Sequence, residues 1–178
     1  MKNYTQILLV FLATTCGILL VNFTSQQTKP QLNKSIKITT DYKVKKTKEE
    51  WKKTINDEEY RVLINKGTEY PGSGEYNIHM KEGVYNCKGC NNPLFTSDQK
   101  FESDCGWPSF DNAIEGSVEY KKDNTLGMSR VEILCTNCGG HLGHIFNDGP
   151  TESGKRYCVN SVSTVSYTHL RAHETKPN

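Results

Sequence analysis

Two cysteine pairs, Cys87-Lys-Gly-Cys90 and Cys135-Thr-Asn-Cys138, with 44 residues between them, constrain this chain more than any other feature. A two-residue spacer lets both sulfurs of a pair turn toward one ion, and two such pairs supply the four soft ligands of a tetrahedral zinc site. Gly89 and Gly139 relieve the tight turn of each knuckle. Strand-like runs, Val84-Tyr85 and Val131 to Leu134, precede them. Disulfides or redox pairs are the competing use of these thiols, favoured by an exported location. A closed four-sulfur site leaves no position for substrate, so a metal here is structural and names no activity.

The rest of the 178 residues fits one soluble domain with appendages: 35% are hydrophobic and mean hydropathy is −0.65, which excludes a multi-span membrane protein or a multi-domain machine. Residues 7–23 form an almost charge-free apolar run after Lys2, so residues 1–25 read as a signal peptide or a membrane anchor, and the expected location is outside the cytoplasm, periplasmic or membrane-tethered. Cys16, inside that run, reads as a packing residue. Residues 26–46 are polar, lysine-rich and aperiodic, which suits a solvated linker. Residues 27–53 carry nine lysines against Asp41, Glu49 and Glu50, a net +6, whereas residues 54–178 carry twelve basic and seventeen acidic residues. An acidic folded part argues against nucleic acid as a partner, because phosphate binding draws its affinity from lysine and arginine. The domain is expected to begin at Thr47. Thr47 to Glu50 and Asn56 to Glu59 read as capping boxes, Tyr60, Leu63 and Ile64 mark one helical face, and Gly67 suits the stop. From Thr68 onward, turn residues and short β-branched or aromatic runs indicate a mainly β domain.

Two thiols outside the knuckles carry the functional reading. Arg156-Tyr-Cys-Val-Asn160 has a strand's period of two, with Arg156, Cys158 and Asn160 on one face and Tyr157 and Val159 on the other. A neighbouring guanidinium favours thiolate, the nucleophilic form, so Cys158 is a candidate for sulfur chemistry; a buried structural cysteine is the alternative. His141-Leu-Gly-His144-Ile-Phe146-Asn-Asp148 places two imidazoles and a carboxylate after the second knuckle, suited to proton transfer near neutral pH and equally to metal binding or an ordinary loop. Cys105-Gly-Trp107-Pro-Ser-Phe110 reads as a loop whose tryptophan floors a small apolar pocket or packs in the core.

Taken in order, Gly67-Thr-Glu69, the two knuckles, Cys105-Gly-Trp-Pro-Ser-Phe110, His141 to Pro150 and Arg156-Tyr-Cys-Val-Asn-Ser161 closely resemble the B-type peptide-methionine (R)-S-oxide reductases over residues 47–163. The resemblance implies two antiparallel sheets with short N-terminal helices, a structural zinc held by Cys87, Cys90, Cys135 and Cys138 away from the active site, and no organic cofactor. It implies that Cys158 attacks the sulfur of methionine-R-sulfoxide in oxidised proteins and that Cys105 resolves the sulfenic acid as a disulfide. A thioredoxin-like reductant then recycles the enzyme. His141 and His144 would supply the proton, with Asp148 and Asn160 in support and Arg156 favouring the thiolate. Trp107 and Phe146 would meet the substrate methyl group. A monomer is expected.

The carboxyl end departs from the family pattern, which follows Asn-Ser with a Leu-x-Phe strand. Here residues 164–178 resemble a translated sequencing adapter, so the domain is expected to end at Ser163, with His169 and His173 outside the site. Two rival readings stand beside the reductase. A zinc-ribbon-like binding module without catalysis leaves Cys105, Cys158 and both histidines unexplained. A thiol–disulfide enzyme using a CxxC pair as its redox centre would free those thiols from metal.

Overall fold

The computed structural model describes residues 41–168. Both expected capping boxes form. Thr47 Oγ1 accepts from the Glu50 N–H at 3.2 Å and the Glu50 carboxylate accepts from the Thr47 N–H at 2.7 Å, opening helix α1 (Lys48–Thr54). Asn56 and Glu59 repeat the exchange at 2.8 and 2.9 Å for α2 (Asp57–Leu63). Each box satisfies donors that a helix's first turn leaves unpaired. Trp51, Tyr60, Val62 and Leu63 are buried, so α2 turns inward a wider arc than the expected stripe. Its left-handed terminating residue is Lys66, with φ 57°, and the Gly67 N–H closes on the Arg61 carbonyl at 3.0 Å.

Nine strands follow among the described residues: β1 (Gly83–Cys87), β2 (Pro93–Thr96), β3 (Lys100–Phe101), β4 (Ser109–Phe110), β5 (Val118–Asp123), β6 (Arg130–Cys135), β7 (His141–Phe146), β8 (Arg156–Val159) and β9 (Thr164–Thr168). They make two antiparallel sheets, one ordered β2-β1-β9 and the other β3-β4-β8-β7-β6-β5. The fold is the expected mainly β class. Both sheets feed one core, in which Phe95 of β2 stacks on Phe110 of β4 at 4.4 Å and Tyr85 of β1 meets Phe110 edge-on at 5.0 Å. Aromatic pairs in these geometries add to the value of burial alone. On β8 the expected alternation holds: Tyr157 and Val159 enter the core, while Arg156 and Cys158 face the other way.

Two boundaries differ from the sequence reading. The domain does not stop at Ser163, because Thr164 to Thr168 form β9 and pair with all five residues of β1, from Gly83↔Thr168 to Cys87↔Thr164. Backbone pairing needs no Leu-x-Phe wording, and Thr164, Val165, Tyr167 and Thr168 are residues that suit a strand. The linker also ends earlier than Lys46. The Val44 N–H donates to the Asn137 carbonyl at 2.9 Å and the Tyr42 hydroxyl to Glu119 at 3.4 Å, so Tyr42 and Val44 dock this segment beside the second knuckle while Asp41, Lys43 and Lys45 stay exposed. Gly139, with φ 72°, makes room for the segment: a Cβ there would lie 2.3 Å from the Tyr42 ring. The leader, the first part of the linker, His169 and His173 fall outside the described residues. Among those described, no helix is long and apolar enough to cross a membrane.

Candidate active site

Sheet register assembles the site. Cys158 on β8 is the partner of Ser109 on β4 and of His144 on β7, so three neighbouring strands set these side chains in a row. Close approach of β7 to β8 requires Gly143, where a Cβ would lie 2.0 Å from the Cys158 carbonyl oxygen. Around Cys158 a cavity of about 120 Å³ is walled by Thr68, Trp107, Arg130, Gly143, His144, Phe146 and Asn160. Cys105, carried by the loop between β3 and β4, brings its sulfur within 3.8 Å of Cys158 Sγ.

The pair's charge is uneven. The Cys158 thiol donating to Cys105, helped by the Ser103 and Ser109 hydroxyls and a contact with the Trp107 backbone, holds the Cys105 pKa down to about 4 against its own burial. The same contact with Cys105, together with burial, pushes the Cys158 thiol up, and Arg156 only partly offsets this. Arg156 pulls the Cys158 thiol toward thiolate, the direction expected from its place on β8, while the contact with Cys105 and burial oppose it. Sequence periodicity found the Arg156 neighbour and had no means of placing a second thiol 53 residues away in contact.

His144 is anchored by its Nε2, 2.8 Å from Asp123 Oδ2, and Arg130 donates to the same oxygen at 2.7 Å. Burial lowers the His144 pKa and the Arg130 and His141 charges add to this, against the pull of Asp123. Hydrogen bonds from Thr125, then from His144 and Arg130, keep the Asp123 carboxyl far below the usual range. Two donors belonging to residues of the cavity wall, Trp107 Nε1 and Arg130 Nε, are buried without a hydrogen-bond partner among the described residues. A buried unpaired donor is costly, and an incoming oxygen would satisfy it.

Sharing none of this cavity's lining residues, the sulfurs of Cys87, Cys90, Cys135 and Cys138 all fall within 4.8 Å of one another. Cys87 to Cys138 is 3.7 Å and Cys90 to Cys135 is 3.5 Å. Tetrahedral zinc with bonds of about 2.3 Å has sulfur–sulfur edges of about 3.8 Å, so the donor set fits that ion. All four cysteines are free of disulfides.

A SelR domain profile matches residues 55–167. The peptide methionine sulfoxide reductase MsrB of Methanosarcina barkeri is 52% identical over 121 residues, covering 67% of this chain and 85% of that one. That of Bradyrhizobium diazoefficiens is 51% identical over 126 residues, covering 70% and 91%. The chain belongs to the MsrB family of peptide methionine sulfoxide reductases. The solved Yippee-like domain of Mis18 gives a TM-score of 0.40 at 21% identity, covering 49% of this chain and 97% of that one, too slight a likeness to bear on fold or function.

As an MsrB, the enzyme acts on methionine sulfoxide in proteins, and its site differs in parts from the one expected. His141 does not line the cavity. Its Nδ1 sits 2.8 Å from Glu132, whose other oxygen takes Lys66 at 2.7 Å, and its Nε2 is buried without a partner among the described residues. The β6–β7 register slips between Ile133 and Leu134, so His141 falls opposite Leu134 while His144 stays opposite Glu132. Asp148 is 59% exposed and bound at two points to Arg156, both at 2.8 Å, outside the cavity wall. Its part is to hold Arg156, whose guanidinium lies 4.6 Å over the Phe146 ring. Asn160 does border the cavity, but both ends of its amide are taken, Oδ1 by the Glu69 N–H and Nδ2 by the Leu142 carbonyl, each at 3.0 Å. Glu69, also buried, accepts from the Ser161 and Val162 N–H groups at 2.6 and 2.9 Å. That exchange straps Thr68 against the exit of β8. Asp123 and Arg130 were missing from the sequence reading. They are cross-strand partners at the far end of the β5–β6 pair, and only the register brings them to His144.

Proposed function

We propose that this MsrB reduces the R epimer of methionine sulfoxide in oxidised proteins, with Cys158 as nucleophile and Cys105 as resolving thiol. The observation that carries the reading is that Cys158 borders the cavity while Cys105, outside its lining, stands 3.8 Å behind the same sulfur. Passing the Cys158 proton to Cys105 places the anion on the sulfur that meets substrate. That thiolate attacks the sulfoxide sulfur, the S–O bond breaks as the oxygen moves to Cys158 with a proton, and methionine leaves, with Cys158 as sulfenic acid. His144 in its protonated form is the donor, held in place by Asp123. Arg130 and the Trp107 indole N–H orient the sulfoxide oxygen, while the Trp107 and Phe146 rings receive the methyl group, so handedness at sulfur is read by which substituent meets which wall. Cys105 displaces hydroxide to give the disulfide, and a thioredoxin-like dithiol reduces it by exchange. The four-cysteine site, when it holds zinc, supplies structure only. If residues 1–25 export or tether the chain, the substrates are exported proteins and the electron donor is linked to the membrane.

The decisive experiment offers resolved R and S epimers of a methionine-sulfoxide peptide to the full chain with dithiothreitol, beside Cys158→Ser. Turnover of R alone, abolished by the substitution, is expected. Reduction of S, or activity surviving in Cys158→Ser, would overturn the assignment.

A further inference from the structure

Two hydroxyls beside the thiol pair have no role in the reaction as described. Ser103 Oγ lies 3.0 Å from Cys105 Sγ and 2.7 Å from Ser109 Oγ, and Ser109 Oγ lies 3.4 Å from the same sulfur. Ser109 is fully buried and is the register partner of Cys158, so the sheet itself fixes it. Each hydroxyl has one hydrogen to give. The Ser109 hydrogen has two acceptors in reach, Ser103 Oγ at 2.7 Å and the Trp107 carbonyl at 3.3 Å, and taking the shorter leaves the Ser103 hydrogen for Cys105, a chain from Ser109 through Ser103 to the sulfur. Successive bonds of this kind polarise one another and strengthen donation to the terminal atom. A protonated Cys105 has a different partner, the Trp107 carbonyl at 3.4 Å. The loop thus holds one partner for the thiol and another, closer one for the thiolate.

We propose that Ser103 and Ser109 are positioning residues for the resolving step, their hydroxyl chain holding Cys105 as a thiolate aimed at Cys158. This rests on the sulfenic acid reading of Cys158. In that step a bond forms between Cys105 Sγ and Cys158 Sγ while the Cys158 S–O bond breaks. The proton that Cys105 received from Cys158 passes to the departing hydroxide, which leaves as water, so Cys105 attacks as the thiolate. Cys105 is oxidised and the sulfenic sulfur reduced, with no outside oxidant. The sulfurs must close from 3.8 Å to a bond of about 2.05 Å, a short movement for a loop already in contact. The ionisable groups acting on Cys105 are Cys158 and Arg156, both from β8; Asp104, next in the loop, is exposed. Arg156 acts on both sulfurs of the pair, whereas the serine chain reaches Cys105 alone, which lets the test separate the two.

The reduced full chain is mixed with one equivalent of R-sulfoxide peptide, and methionine, free thiols and dimedone-trapped sulfenic acid are followed from pH 6 to pH 9 in the parent, Ser103→Ala, Ser109→Ala and Ser103→Thr. We expect both alanine variants to accumulate trapped sulfenic acid and to form the disulfide about tenfold more slowly near neutral pH, with the deficit shrinking as bulk deprotonation supplies thiolate. Ser103→Thr, which keeps the hydroxyl, restores the rate. In a Cys158→Ser background, the pH midpoint for alkylation of Cys105 should rise when Ser103 becomes alanine. If Ser109→Ala does not fold, Ser103→Ala and its threonine counterpart decide the matter. Disulfide formation at the parental rate with an unmoved alkylation midpoint overturns the proposal. Failure of the parent to release methionine in its first turnover would instead overturn the functional reading beneath it.

Discussion

His144 shows how much of this enzyme's chemistry hangs on a single side chain's neighbours. Burial drives its pKa down, Arg130 and His141 add to that, and Asp123 is the one group pulling it back up. Removing the Asp123 charge must therefore lower it further. Where the protonated ring is the proton donor, the rate falls as pH rises through the His144 value, so Asp123→Asn should move that fall to lower pH and reduce kcat/KM by about 10- to 100-fold at neutral pH. A pH–rate profile of the variant tests this, and an unmoved descending limb would remove His144 from the donor role. The sequence showed two histidines three residues apart and no reason to rank them. Ranking came from the β6–β7 slip, which sends His141 to Glu132 and leaves His144 opposite Cys158.

At the scale of elements, the capping boxes were legible because they are local: four consecutive residues contain both donors and both acceptors. The alternation on β8 was legible for the same reason, since a strand's period needs no partner to be read. β9 was not, because its membership depends on β1, some eighty residues earlier, offering an edge to pair with. That pairing has a measurable consequence. Thr164 is buried and all five residues of β9 are joined to β1, so truncating the chain after Ser163 should lower unfolding stability by roughly 2–5 kcal/mol in a urea titration. A loss within about 0.5 kcal/mol, the size expected for a surface change, would mean that the strand contributes nothing. Since β1 ends in Cys87, the same truncation should also loosen the hold on zinc.

For the whole molecule, the four cysteines bring the ends of the two sheets to one point: Cys87 closes β1 of the smaller sheet and Cys135 closes β6 of the larger. An ion bound by both knuckles cross-links them, and its binding free energy becomes folding free energy. Extracting zinc with a strong chelator should lower the melting temperature by at least about 10 °C, with sulfoxide reduction lost in step with unfolding rather than before it, because the cluster shares no residue with the cavity. Unchanged melting would exclude a structural metal. The knuckles, the class of fold, the family and the two cysteines proposed to react were all legible in the sequence alone. They rest on spacing, period and ordered motifs, properties that a linear chain displays in full. Only the tertiary structure decided that Cys105 and Cys158 stand 3.8 Å apart, that Asp123 and Arg130 belong to the site, and that His141 and Asp148 serve Glu132 and Arg156 instead of lining the cavity. Those depend on which strands pair and in what register, and side-chain chemistry follows from distances that sequence separation does not encode.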